Sequence, residues 1–281
     1  MRVAAAAWPV DWHDDWSSYA AKLTAWVEQA ASGGAELLVF PEYATMELAS
    51  VFGVGVAADL GLQIGRVAEL ADEIDDLHAR LAARTGIHIV AATLALPLPD
   101  GRVVNRSRFF GPDGLLGHQD KLVMTRFERE QWNVQAGSGQ RVFDTPLGRI
   151  GIAVCYDVEF PLVVRRLVEA GADLVAVPTC TDTEAGFWRV KIGAMARALE
   201  SQFVTVTAPT VGLAPWSPAL DENRGAAGIY GPPDRGWPAN GILAEGAMDA
   251  PGWTFADVDL ERVREVRANG QVLNHRHWDE Q

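Results

Sequence analysis

Gly148-Arg-Ile-Gly-Ile-Ala-Val-Cys-Tyr-Asp157 reads as a buried strand that ends on a cysteine. Its centre, Ile150-Gly-Ile-Ala-Val154, is apolar and rich in β-branched residues, which suits a strand covered on both faces. Polar residues follow at once, then Phe160-Pro161 and a helical pattern. Cys155 therefore sits where a strand gives way to a loop and a helix, the edge at which open α/β sheets bind ligands. Taken alone, the stretch is satisfied by a packed core thiol as well as by a nucleophile.

The flanking chain repeats this logic. Periodicity predicts strands over 3–8, 36–42, 88–96, 172–178 and 203–208, and helices over 16–31, 67–84, 162–170 and 185–201. Turns at Pro99-Asp-Gly-Arg102 and Pro112-Asp-Gly114 predict a hairpin from Val103 to Phe110 into an extended segment over 115–124. Residues 43–62 lack periodicity and read as a loop over the sheet edge. Hairpin strands are expected at 226–230 and 241–245, and a short strand and helix within 257–265. Gly34-Ala-Glu-Leu-Leu-Val-Phe-Pro-Glu42 matches Gly171-Ala-Asp-Leu-Val-Ala-Val-Pro-Thr179 in pattern: glycine at a helix end, buried strand, proline, polar residue. The match points to duplicated βα units, although buried strands also resemble one another by composition. Nothing marks a linker, so residues 1–281 read as one layered α/β domain with a mixed sheet.

Composition bounds the function. Of 281 residues, 48% are hydrophobic and 22% charged, with 24 basic against 37 acidic side chains and a net charge of −13. That balance argues against non-specific binding to nucleic acid or anionic membrane, which both need basic patches. No apolar run reaches the roughly 18 residues of a membrane span. The opening apolar run is short for a signal peptide and is broken by Pro9 and Asp11. Two cysteines make no disulfide framework, so both thiols are expected to stay reduced in the cytoplasm. His275-Arg-His277 lacks further clustered ligands, and no metal or other cofactor is expected.

A catalytic thiol needs a base or a cation beside it. None of the six histidines has an obvious partner setting. A desolvated carboxylate can replace histidine, because burial raises its pKa towards neutrality. Glu42 follows an apolar strand and a proline, which suits that role. Lys121 could donate to the oxyanion of a tetrahedral intermediate. Each also has a plainer reading, as an exposed charge at a strand end.

Together these strings resemble the nitrilase superfamily of carbon–nitrogen hydrolases. Leu38-Val-Phe-Pro-Glu42, Asp120-Lys-Leu122 and Val154-Cys-Tyr-Asp157 look like its three catalytic motifs, in order and spacing. Phe143-Asp-Thr-Pro-Leu-Gly-Arg-Ile-Gly151, Phe160-Pro161 and Ala196-Arg-Ala-Leu-Glu-Ser-Gln202 extend the resemblance over nearly the whole chain. It implies a four-layer αββα sandwich with mixed sheets and pseudo-two-fold symmetry, assembled into dimers or larger homo-oligomers. It also implies Cys155 as nucleophile, Glu42 as base and then acid, and Lys121 with the Tyr156 N–H as oxyanion donors. A second glutamate is implied between lysine and cysteine. Counting back from Gly137 gives Glu130, with Glu128 close enough to be the one.

The residues after Cys155 choose among branches. Nitrile-cleaving members usually carry Trp-Glu there; Tyr156-Asp157 is similar to the amidase-like and carbamoylase-like branches. Small linear amides or N-carbamoyl amines are thus the implied substrates. A nitrilase, or a binding protein on the same fold, is the alternative. Glu159 stands where those branches often have arginine. Facing the pocket, it would disfavour acidic substrates; otherwise it is a solvated loop charge. Cys180 and Trp132 or Trp188 are candidates for the pocket wall.

Overall fold

The computed structural model describes residues 1–281. In chain order it contains β1 (Arg2–Pro9), α1 (Trp16–Ser32), β2 (Leu37–Val39), α2 (Val54–Ala57), α3 (Leu60–Ala68), α4 (Ala71–Thr85) and β3 (His88–Val90). There follow β4 (Leu94–Pro97), β5 (Val103–Gly111), β6 (Gly114–Asp120), α5 (Arg126–Glu130), β7 (Val142–Thr145), β8 (Gly148–Ile152), α6 (Pro161–Glu169) and β9 (Leu174–Thr179). The chain closes with α7 (Glu184–Ser201), β10 (Val204–Leu213), β11 (Glu222–Asn223), β12 (Gly228–Tyr230), β13 (Ile242–Glu245), β14 (Gly252–Asp257) and α8 (Leu260–Asn269).

Two parallel βαβαβ runs stand out. β1, β2 and β3 pair in parallel, joined through α1 and α4. β8, β9 and β10 do the same through α6 and α7. Antiparallel strands extend each run: β5, its neighbours β4 and β6, and β14 on the first; β7, β12 and β13 on the second. The runs meet where Trp8 and Pro9 pair with Thr210 and Val211. The fold is mixed α/β. No helix is long and apolar enough to cross a membrane.

Strand alternation assigns the faces. Ala4, Ala6, Trp8 and Leu38 pack with Tyr19 and Leu23 of α1 and Leu77 and Leu81 of α4. Val3, Ala5, Ala7, Leu37 and Val39 instead join Ile150, Ile152, Leu174 and Ala176 of the second run. On the far side of that run, Thr205 Oγ1 donates to the Ala194 carbonyl of α7 at 3.0 Å. Sheet therefore packs on sheet, with helices outside. Gly34 (φ +79°) and Gly171 (φ +95°) end the helices before β2 and β9 in the left-handed conformation that glycine adopts without strain.

Residues 43–62 correct the expected loop. They form a 3₁₀ helix (Ala44–Phe52), α2 and the start of α3. Ala44 to Ser50 are buried throughout, so no polar face exists to produce a periodic pattern. Glu47, fully buried there, accepts from Lys22 Nζ (2.9 Å), Trp8 Nε1 (3.2 Å) and the Asp11 N–H (2.9 Å). Smaller differences follow from local breaks: 88–96 divides into β3 and β4, and the helix expected over 67–84 becomes the end of α3 and α4.

Candidate active site

Strand ends deliver the functional side chains. β2 stops at Val39, and Phe40-Pro41 lead to Glu42. Proline cannot donate to a ladder, which ends the pairing there. β6 stops at Asp120; the next N–H, that of Lys121, donates to the Asn105 carbonyl of β5 at 2.9 Å. β8 stops at Ile152, and Cys155 opens a 3₁₀ turn to Glu159.

These ends converge on a cavity of about 510 Å³ that also reaches Tyr43, Trp132, Tyr156 and Cys180. Lys121 Nζ lies 2.7 Å from Glu42 Oε1 and 2.7 Å from Glu128 Oε2, and all three side chains are 1–2% exposed. An ammonium has three donors; two are used, leaving one for a bound group. Asn105 Nδ2 donates to Glu42 Oε1 (2.8 Å) and to Glu128 Oε1 (3.3 Å). Glu128 further accepts from Tyr43 OH (2.7 Å), the Thr125 N–H (2.8 Å) and Thr125 Oγ1 (2.9 Å). Five donors surround it, and no lone pair remains to take a proton.

Cys155 is 4% exposed and adopts φ +48°, a left-handed conformation unfavourable for a residue with a Cβ. Its Sγ lies 3.8 Å from the Cys180 carbonyl, with the Glu42 carboxylate beside it. Asp157 sews this turn to the lysine loop: Oδ1 accepts from the Val123 N–H (2.8 Å) and Oδ2 from the Val154 N–H (3.2 Å). The Tyr156 N–H precedes the first hydrogen bond of the turn and has no partner, so it is a free donor beside the thiol.

Burial sets the charge states. It pushes Glu42 up to about 7, against the pull of Lys121. Burial also opposes the Lys121 ammonium, but Glu42 and Glu128 outweigh it and hold the pKa well above the ordinary value. For Glu128, burial is outweighed by Lys121 and the carboxyl falls below its usual range. Burial, then the Glu42 charge, drive Cys155 well upward, so the resting group is a thiol.

Glu130 does not reach this cavity. It lies on the surface with its oxygens 2.9 and 3.0 Å from Arg126 Nε and Nη2. Two positions apart on a helical turn, Glu128 and Glu130 point to different sides. The sequence held a signal for the one that does reach it: Thr125-Arg-Phe-Glu128 is a capping box, formed as such in the structure. Glu159 lies in the cavity wall, 20% exposed, with Arg189 Nε 3.6 Å away, and burial raises its pKa. Cys180 also lines the wall, its thiol pushed to about 12 by burial. Trp132 is part of the wall, whereas Trp188 is 45% exposed outside it. Sequence reasoning missed Tyr43 and Asn105, and used Asp157 only as a branch marker. It also missed Pro218, Ala219 and Asp221, which reach the cavity from a segment without periodicity.

Comparison with known proteins places this geometry. The chain matches the carbon-nitrogen hydrolase family model over residues 2–268. It is 33% identical over 254 residues to the probable hydrolase YhcX of Bacillus subtilis (strain 168), covering 90% of this chain and 49% of that protein. The chain thus spans about half the length of that relative. Identity to a nitrilase of Pyrococcus abyssi is 30% over 247 residues, covering 86% and 84%. Among solved structures, an amidase of Nesterenkonia sp. AN1, with acrylamide added at its active site cysteine, superposes with TM-score 0.69 and 22% identity, covering 99% of both chains. With a family match that runs from β1 into α8, the chain belongs to the carbon–nitrogen hydrolases of the nitrilase superfamily.

Proposed function

We propose that this protein hydrolyses a small linear amide or N-carbamoyl amine through a thioester on Cys155. The observation that carries the reading is Lys121 Nζ, held 2.7 Å from each of two buried carboxylates in the wall that holds a strained thiol. Only one carboxylate is free to act. Glu128 is saturated, and Lys121 stays protonated, which leaves Glu42 as the base.

Glu42 takes the Sγ proton as sulfur bonds to the carbonyl carbon, and the carbonyl π pair moves onto oxygen. Lys121 and the Tyr156 N–H donate to that oxyanion. Collapse breaks the C–N bond, and Glu42 returns the proton to the departing nitrogen. Glu42 then deprotonates a water that attacks the thioester, and Cys155 leaves as the thiol once the proton is returned. Tyr156-Asp157 after the cysteine favours amides. The nitrilase among the relatives favours nitriles as a second reading. Ammonia release from parallel panels of amides, carbamoyl compounds and nitriles separates the two. Turnover confined to nitriles would reject the proposal.

A base must be unprotonated, so kcat/KM should rise with pH through an apparent pKa of about 7, that of Glu42. Glu42→Gln should remove this limb and lower kcat/KM roughly 10²–10⁴-fold. A wild-type profile flat from about pH 5 to 8 would refute the assignment.

The proposed enzyme works as a homo-oligomer in the cytoplasm, where its two free cysteines stay reduced. α7 exposes Trp188, Ile192 and Leu199 at helical spacing, and α6 adds Leu162, an apolar face suited to a second copy. Ile192→Asp should shift the mass measured by light scattering towards that of the monomer. An unchanged mass would remove this face from the interface.

A further inference from the structure

The two oxygens of Glu42 differ. Oε1 accepts from Lys121 Nζ at 2.7 Å and from Asn105 Nδ2 at 2.8 Å. Oε2 accepts from no N–H or O–H group, and Glu42 lines the cavity with the Cys155 thiol beside it. One donor on a carboxylate leaves its plane free to turn. Two donors on the same oxygen, arriving from β5 and from the end of β6, define that plane.

Asn105 is 0% exposed on β5, and its own Oδ1 is buried without a partner. Reversing the amide would bring Oδ1 against two carboxylates, so the charges fix its orientation. A buried acceptor left unpaired is unfavourable. Such a violation of polar satisfaction inside a well-packed sheet marks a functional position rather than a packing choice. The useful atom is Nδ2, which touches both carboxylates, while the Asn105 carbonyl fixes the Lys121 backbone.

We propose that Asn105 is a positioning residue that pins Glu42 Oε1 and leaves Oε2 as the oxygen that exchanges the proton with Cys155 and the departing nitrogen. The inference rests on the reading of Glu42 as the base. It has an electrostatic consequence: donation from Nδ2 favours the ionised carboxylate and works against burial.

The test is Asn105→Leu in the full-length protein, with Asn105→Ser as the second variant should leucine prevent folding. In either, kcat should fall about tenfold or more at little cost in KM. The acid limb of kcat/KM should move to higher pH by about one unit, because a charge-assisted hydrogen bond to the anion is lost. A residue that merely supports the fold would lower the active fraction and leave the limb in place. The rate of Cys155 alkylation by iodoacetamide, followed on its peptide by mass spectrometry across the same pH range, needs no amide substrate. It should show the same upward shift. Should the wild type cleave no amide, the hydrolase reading fails while alkylation still decides the role of Asn105. A folded variant whose alkylation limb stays at the wild-type position overturns the proposal.

Discussion

Cys155→Ala is expected to lower amide turnover by at least about 10⁴-fold, the scale on which loss of a nucleophile acts. The remaining machinery, a cationic donor and a base, has no bond to form without sulfur. The fold should persist. Alanine is smaller than cysteine by one atom, and it meets the same backbone strain at φ +48°. A stability change within about 1.5 kcal/mol is expected, in the ordinary range for single substitutions. Ammonia release and a thermal melt on the same sample check both halves. A variant that melts like the wild type and still turns over amides would remove Cys155 from the chemistry.

Lys121→Met is expected to damage both activity and stability. It leaves Glu42 and Glu128 buried with no cation between them. Breaking a buried ion pair by removing one partner costs about 3–5 kcal/mol. Part of that is avoided if a carboxylate takes up a proton, which gives the effect a sign in pH. Without Lys121 both carboxyl pKa values rise above their unfolded values. Stability is then fully present below the unfolded carboxylate pKa and is lost as pH rises through the raised folded values. The variant should therefore melt closest to the wild type in acid and fall furthest behind above neutrality. Loss of the oxyanion donor alone lowers turnover about 10²–10³-fold, and protonation of Glu42 deepens the loss. Denaturant melts at about pH 5 and pH 8 test the sign, which follows from the carboxyl shifts. An equal or larger deficit in acid would contradict the electrostatic account.

The strand-end positions of Cys155 and Glu42 were legible because each follows a strand whose apolar pattern is local and strong, whereas Lys121 follows the polar end of β6 and stood out only by its string. Glu128 was half legible. Its capping box is a local signal, yet residue counting favoured Glu130, which the structure places on the surface beside Arg126. Asn105 was not legible at all. It lies inside a strand whose alternation marks it only as inward-facing, and its partners are far away in the chain. The segment over 43–62 misled for the opposite reason: its first half, Ala44 to Ser50, is helical but buried on every side, so it carries no period.

What the sequence determined by itself was the set of elements, the strand ends that bear the reactive groups, and the family those strings belong to. All are functions of neighbouring residues. The tertiary structure alone decided which carboxylate is saturated and which retains a free oxygen. It also decided that the thiol rests protonated and that Glu42 stands near neutrality. Those properties depend on burial and on donors brought in from β5, from the end of β6 and from Tyr43 beyond β2, and distance through space between such segments leaves no trace in local periodicity.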